Sequence, residues 1–227
     1  TNSQRLSYLA QQFAMQLRAK RANIPIGIIQ TSWGGTAISR HVQGGDIYAN
    51  HIAPLTGFRV AGVLWYQGCN DASTLSTSLD YESQMTALIN QYRKVFDEST
   101  LPFLYVQLAR WSGYQYTQNV RQGQLRTLDN ANLRNSANVA MTVSIDTDKG
   151  TSKVIHPLGK DILGARMAAQ YEAMVAGESV PSGPIIESAT RSADKSAITL
   201  SFKDGTADKL RSMKPNYSKS ATASAPD

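Results

Sequence analysis

Val60-Ala61-Gly62-Val63-Leu64-Trp65-Tyr66 runs without a charge into Gln67-Gly68-Cys69-Asn70-Asp71. An apolar run of this length, broken by a Gly-Asn-Asp turn, reads as a strand buried on both faces whose polar end lies on a rim. Two later stretches repeat the pattern: Pro102-Phe103-Leu104-Tyr105-Val106-Gln107-Leu108 and Val139-Ala140-Met141-Thr142-Val143-Ser144-Ile145. Between the runs the spacing changes from continuous to helical. Tyr81, Met85, Leu88, Ile89, Tyr92 and Phe96 fall on one helix face, and a polar amphipathic helix is expected over 120–133. Strands alternating with helices in this way predict a three-layer α/β/α fold around a parallel sheet.

The pattern extends in both directions. Upstream, Leu6, Leu9, Ala10, Phe13, Ala14 and Leu17 recur at helical spacing, with Asn2 or Ser3 placed to cap the start. Ile24-Pro25-Ile26-Gly27-Ile28-Ile29 then predicts a further buried parallel strand, ending in Thr31-Ser32-Trp33-Gly34-Gly35-Thr36. Downstream, a last helix is expected over about 158–176, with Leu163, Met167, Tyr171 and Met174 on one side. In sheets of this kind ligands bind beyond the carboxyl ends of the strands. The polar segments 31–36, 68–71 and 146–156 should therefore share one rim.

After Gly177 the composition shifts. Pro181, Gly183 and Pro184 form a linker, and Ala197-Ile198-Thr199-Leu200-Ser201-Phe202 reads as an isolated strand before a polar tail. Residues 1–180 are thus expected to form the main domain, and 181–227 an extension that docks on it or begins a β-rich module.

Composition narrows the function. Apolar residues make up 41% and charged residues 18% of the chain, which places it among folded proteins. The net charge of +6 is spread along the sequence with no Lys/Arg run, so a nucleic-acid arm is not indicated. The single cysteine, Cys69, rules out an internal disulfide and a cysteine zinc cluster. No apolar run approaches the roughly 18 residues of a membrane span. The compartment stays open. The polar opening Thr1-Asn2-Ser3 does not resemble a signal peptide and is expected to lie inside a longer protein.

Ester hydrolysis by a serine enzyme needs a nucleophile, a base within hydrogen-bond reach and donors aimed at the developing oxyanion. Histidine is the usual base, and this chain has three, His41, His51 and His156. His156, in Val154-Ile155-His156-Pro157, precedes the last helix on the expected rim. His51 reads as packed structure, and nothing local decides His41. Asn70 offers a side-chain amide donor at the rim, although an Asn-Asp turn that merely ends a strand has the same sequence. Gly34 and Gly35 let backbone N–H groups approach a ligand closely.

Taken together, these stretches resemble the sialate O-acetylesterase family of SGNH-type carbohydrate esterases. Residues 26–36 are similar to its pattern IGLIxSSWGGT, and 52–70 to MIAPL…GVLWYQGESN. Leu101 to Leu108 are similar to LPFLxVQLA, Arg121 with Gln124 to LRxxQ, and Ile155-His156-Pro157 with Lys160, Gly164 and Arg166 to IHPxxKxxxGxR. The blocks occur in order over about residues 5–190. The resemblance implies a flavodoxin-like α/β/α hydrolase that removes acetyl esters from sugars without a metal or organic cofactor. It implies His156 as base and Asn70 with Gly34 or Gly35 as oxyanion donors. Asp146 or Asp148 would orient the imidazole, unless a Ser-His dyad suffices. Trp33, with Gln67 and Gly68 beside the Asn70 turn, would contact the sugar, as would Trp65, Tyr66 or Trp111. Arg40 or Arg110 would meet a sialic acid carboxylate. Acetylated xylan is the alternative substrate, and a sugar-binding relative without catalysis the alternative class.

Three departures qualify the match. Asp-x-x-His would place an acid at 153, where the chain has Lys153. Cys69 stands where the family commonly has Glu, and reads as a small buried residue rather than a nucleophile. No Gly-x-Ser-Asn segment, the family's nucleophile motif at the end of its first strand, occurs in the 227 residues. Ser32, on the rim but within the donor block, is the alternative nucleophile. An upstream fragment of the same protein is therefore the expected source of the serine, and the sheet is expected to lack its first strand.

Overall fold

The computed structural model describes residues 6–147, 155–208 and 210. Three strands, β1 (Val63–Trp65), β2 (Phe103–Val106) and β3 (Val139–Thr142), pair in the order β1-β2-β3, parallel throughout. Val63 lies opposite Phe103, and Phe103 opposite Val139, so the three carboxyl ends finish level on one rim. Each strand forms inside one of the apolar runs that announce it and is shorter than that run.

Side chains of β2 alternate between two cores, as the pleat requires. Phe103 and Tyr105 pack under α2 (Leu75–Val95) and α3 (Thr117–Thr127), against Tyr81, Met85, Leu88 and Val120. Leu104 and Val106 point the other way, onto α1 (Tyr8–Lys20) and α4 (Lys160–Ala176), where Leu9, Leu163 and Met167 meet them. The sheet is thus the middle of three layers. Helix α2 is capped by Thr74, whose hydroxyl accepts the Thr77 N–H at 3.3 Å. Its last turn sends the buried Arg93 guanidinium to the carbonyls of Leu101, Arg134, Asn135 and Asn138, which fixes the segments entering β2 and β3. Helix α4 stops at Gly177, which takes the left-handed conformation at φ 69°.

Three expectations need correction. Residues 24–29 form no strand, and they pair with none among the described residues. Ile24 and Ile29 are half exposed and Ile28 is 37% exposed. Backbone ladders form only against a neighbour, and among the described residues the outer edge of β1 faces a groove rather than a strand. That groove has a volume of about 740 Å³ and runs between residues 24–33 and 60–67, above Leu9 and Phe13 of α1. The helix expected over 120–133 begins and ends earlier, at Thr117 and Thr127, because turns over 128–133 take its place. The supposed isolated strand is the second half of a hairpin, β5 (Ile198–Phe202) pairing antiparallel with β4 (Ile186–Arg191). No helix among the described residues is long and apolar enough to cross a membrane.

Candidate active site

Two polar loops meet beyond β1. The first is the exposed stretch Ser32-Trp33-Gly34-Gly35, which reaches Thr36 and the short turn Ile38–Arg40. The second is the turn Gln67 to Asp71, which starts as β1 ends. Gly68 is obligatory there. Its φ is +128°, and a β-carbon would stand 3.0 Å from Val120 and 3.2 Å from the Tyr81 ring.

The sequence-predicted donors come together across these loops. Asn70 Nδ2 donates to the Gly35 carbonyl at 3.4 Å. Gln67, expected to contact substrate, instead turns its amide inward. Its Nε2 donates to Thr36 O at 2.8 Å and to Asp71 Oδ2 at 2.6 Å, and its Oε1 accepts from the Tyr81 hydroxyl at 3.2 Å. Asp71, which sequence reasoning passed over as a turn residue, is 2% exposed. Its two oxygens also accept the Ile38 N–H at 3.2 and 3.1 Å. The signal was present in the Gln67/Asp71 spacing, but only the folded turn shows that both side chains point into the protein.

Cys69 is unsuited to attack. Burial and the neighbouring Asp71 charge push its thiol up to about 11, so it stays protonated at neutral pH.

His156 is exposed in the turn that leads into α4. That turn is pinned at its far end to the segment that follows β3, where Gly159 N donates to Thr147 O at 3.1 Å. Lys160, buried in the first turn of α4, donates to Pro157 O at 3.0 Å and lies over the Tyr66 ring at 5.6 Å, which links this turn to the end of β1. Asp146 has both carboxylate oxygens on Arg166 of α4, at 2.8 and 2.6 Å, and Arg166 also donates to Val143 O. The Arg166 hydrogen bonds hold the Asp146 carboxyl below its ordinary range. Asp148 and Lys153 lie outside the described residues.

Trp33 is 58% exposed, its ring set edge-on to His51 at 5.7 Å, and it forms an open aromatic surface beside Gly34 and Gly35. Trp65 is core, with its ring between His41 and Tyr92. Arg40 gives its guanidinium to Asp46 in a two-bond contact at 2.8 and 2.6 Å.

His41 turns out to be a structural residue of the donor loop. It is 4% exposed, and its Nε2 sits 2.8 Å from the Thr36 hydroxyl. Burial, aided by the nearby Arg40 charge, lowers its pKa to about 4. The unfolded histidine titrates near 6.5. Between these values the unfolded chain binds more protons than the native one, so stability should fall as pH drops from about 6.5 to about 4, and be flat above. The expected loss is on the order of 3 kcal/mol. Urea denaturation across that range checks it, and His41→Gln should remove most of the slope.

Residues 4–173 match the family described as carbohydrate esterase, sialic acid-specific acetylesterase. A carbohydrate acetylesterase of Xanthomonas citri has a similar solved structure, with TM-score 0.76 and 31% identity, covering 89% of this chain and 48% of that one. A probable carbohydrate esterase of Arabidopsis thaliana is 30% identical over 117 residues, which are 49% of this chain and 44% of that protein. A solved Arabidopsis structure, 23% identical with TM-score 0.58 over 74% of this chain and 67% of that one, shares the fold. The chain spans about half the length of the first two relatives.

Proposed function

Since the chain belongs to the sialic acid-specific acetylesterase family of carbohydrate esterases, we propose that it forms the base and oxyanion half of a serine esterase that releases acetate from O-acetylated sialic acid. In this reading a serine hydroxyl attacks the acetyl carbonyl while His156 takes its proton. The tetrahedral oxyanion receives hydrogen bonds from the Asn70 amide and a backbone N–H at Gly34 or Gly35. His156 then protonates the departing sugar oxygen, and water repeats the sequence on the acyl-serine. Asp148 suits the imidazole better than Asp146, because Asp146 already gives both oxygens to Arg166. Trp33 supplies the surface for a sugar ring.

What supports this reading is the meeting of Asn70 with Gly35 beyond β1, together with Lys160, which holds Pro157 O beside His156 and lies over the Tyr66 ring at the end of that strand. The nucleophile is assigned to an upstream strand seated in the groove beside β1. Three features support that seat. Among the described residues the outer edge of β1 is unpaired, Ile24, Ile28 and Ile29 present uncovered apolar surface to the groove, and Ser7, at the start of α1, donates its N–H to Gln30 Oε1 at 2.7 Å. The last contact brings the chain entering α1 to the rim end of the groove, so a preceding strand would run parallel to β1 and end where the donors lie.

Acetate release by the full-length protein tests the function. O-acetylated sialic acid is expected to be hydrolysed faster than acetylated xylan. The reverse order would make it a polysaccharide acetylesterase. No release from either by a folded sample would identify a sugar-binding relative, a reading that Lys153 and Cys69 favour.

A further inference from the structure

The Gln67/Asp71 pair has no part in the chemistry just described, yet every polar side-chain atom of the two is hydrogen-bonded. A carboxylate buried to 2% with no cation paired to it among the described residues costs free energy, and such groups contribute little to net stability. Burial pushes the Asp71 carboxyl above its usual range, and the Gln67 and Ile38 hydrogen bonds, with Asp71's own backbone N–H, oppose that. Both bonds are aimed at one task. The donor loop at 33–38 and the turn at 67–71 are separated by more than twenty residues of chain, and the bonds joining them run through Gln67, Asn70 and Asp71 on one side and Gly35, Thr36 and Ile38 on the other.

Resting on the esterase reading above, we propose that Asp71, acting through Gln67, is a positioning residue that sets the separation of the two oxyanion donors, the Asn70 amide and the Gly34/Gly35 backbone. The proton inventory explains why the group is a carboxylate. Gln67 Nε2 has two hydrogens, one on Thr36 O and one on Asp71 Oδ2, while the Ile38 N–H points at the same carboxylate. Only a side chain that accepts everywhere satisfies both loops at once. An asparagine at 71 would turn its NH₂ either toward Gln67 Nε2 or toward Ile38 N–H, and in each case two donors would face one another. The two loops would then relax apart, and oxyanion donors displaced by even an ångström lose much of their effect.

The test is Asp71→Asn in the full-length protein, read in two ways. With p-nitrophenyl acetate, kcat per folded molecule is expected to fall about tenfold to a hundredfold while KM stays within about twofold. Hydrogen exchange at the Ile38 amide should also quicken, since its acceptor is compromised. If Asp71→Asn folds poorly, Gln67→Leu removes the other cross-loop bond, from Gln67 Nε2 to Thr36 O, and should give the same fall in kcat. Unchanged kcat per folded molecule overturns the proposal, even where the yield of folded protein drops, since that outcome describes a merely structural residue. Unchanged exchange at Ile38 overturns it as well. A wild-type protein that releases no acetate would instead defeat the esterase reading, and the exchange comparison would still decide whether Asp71 joins the two loops.

Discussion

Replacing His156 by alanine in the full-length protein is expected to lower kcat for acetyl-ester hydrolysis by about a thousandfold or more, with KM little changed. The size follows from the two proton transfers that the imidazole serves, one from the attacking hydroxyl and one to the leaving sugar oxygen. Removing it takes away both, and leaves the oxyanion donors and substrate contacts to give a small residual rate. Stability should change little, because His156 is exposed in the turn before α4 and that turn is held by the neighbouring Gly159 and Lys160 contacts. Steady-state kinetics beside a thermal melt separate the two effects. A variant that keeps more than about a tenth of wild-type kcat would remove His156 from the role of base.

The second large effect is expected at the groove. Ile28→Asp should cost the full-length protein about 3 kcal/mol and most of its activity, while the same substitution in the 227-residue chain should change stability by less than about 0.5 kcal/mol. In the chain described, Ile28 is 37% exposed, and an aspartate there keeps its water. Under a seated strand the carboxylate would be stripped of water with no cation to meet it, and the strand that bears the nucleophile would be the element displaced. Urea midpoints for the two lengths of protein decide the matter. If both tolerate the aspartate equally, Ile28 faces solvent in each and the groove seats nothing.

What could be read from the sequence divides along a physical line. The runs at 60–66, 102–108 and 139–145 were legible as strands because a strand buried on both faces must be apolar at every position, and the helices α2 and α4 because their buried faces recur at 3.6-residue spacing. The run at 24–29 carries the same signal but forms no strand here. A strand is defined by its neighbour, and the apolar pattern records the need for one without supplying it. The pairing of β5 with β4 was missed for a related reason. Both strands are exposed almost throughout, so Glu187-Ser188-Ala189-Thr190 carries no burial pattern to reveal it.

At the site, the chain itself fixed which chemical groups are on hand: one rim histidine before a helix, an amide after a strand, and a pair of glycines in an aromatic loop. Only the tertiary structure decided how they are used. It turned Gln67 inward, buried Asp71 beneath the donors, gave Asp146 to Arg166 and Arg40 to Asp46, and made His41 and Trp65 core. The reason is that residue type sets what a side chain can donate, accept or titrate, whereas its partner is chosen by packing between segments far apart in the chain. Asp71 and Ile38, thirty-three positions apart, meet only because β1 and the donor loop close on the same end of the sheet.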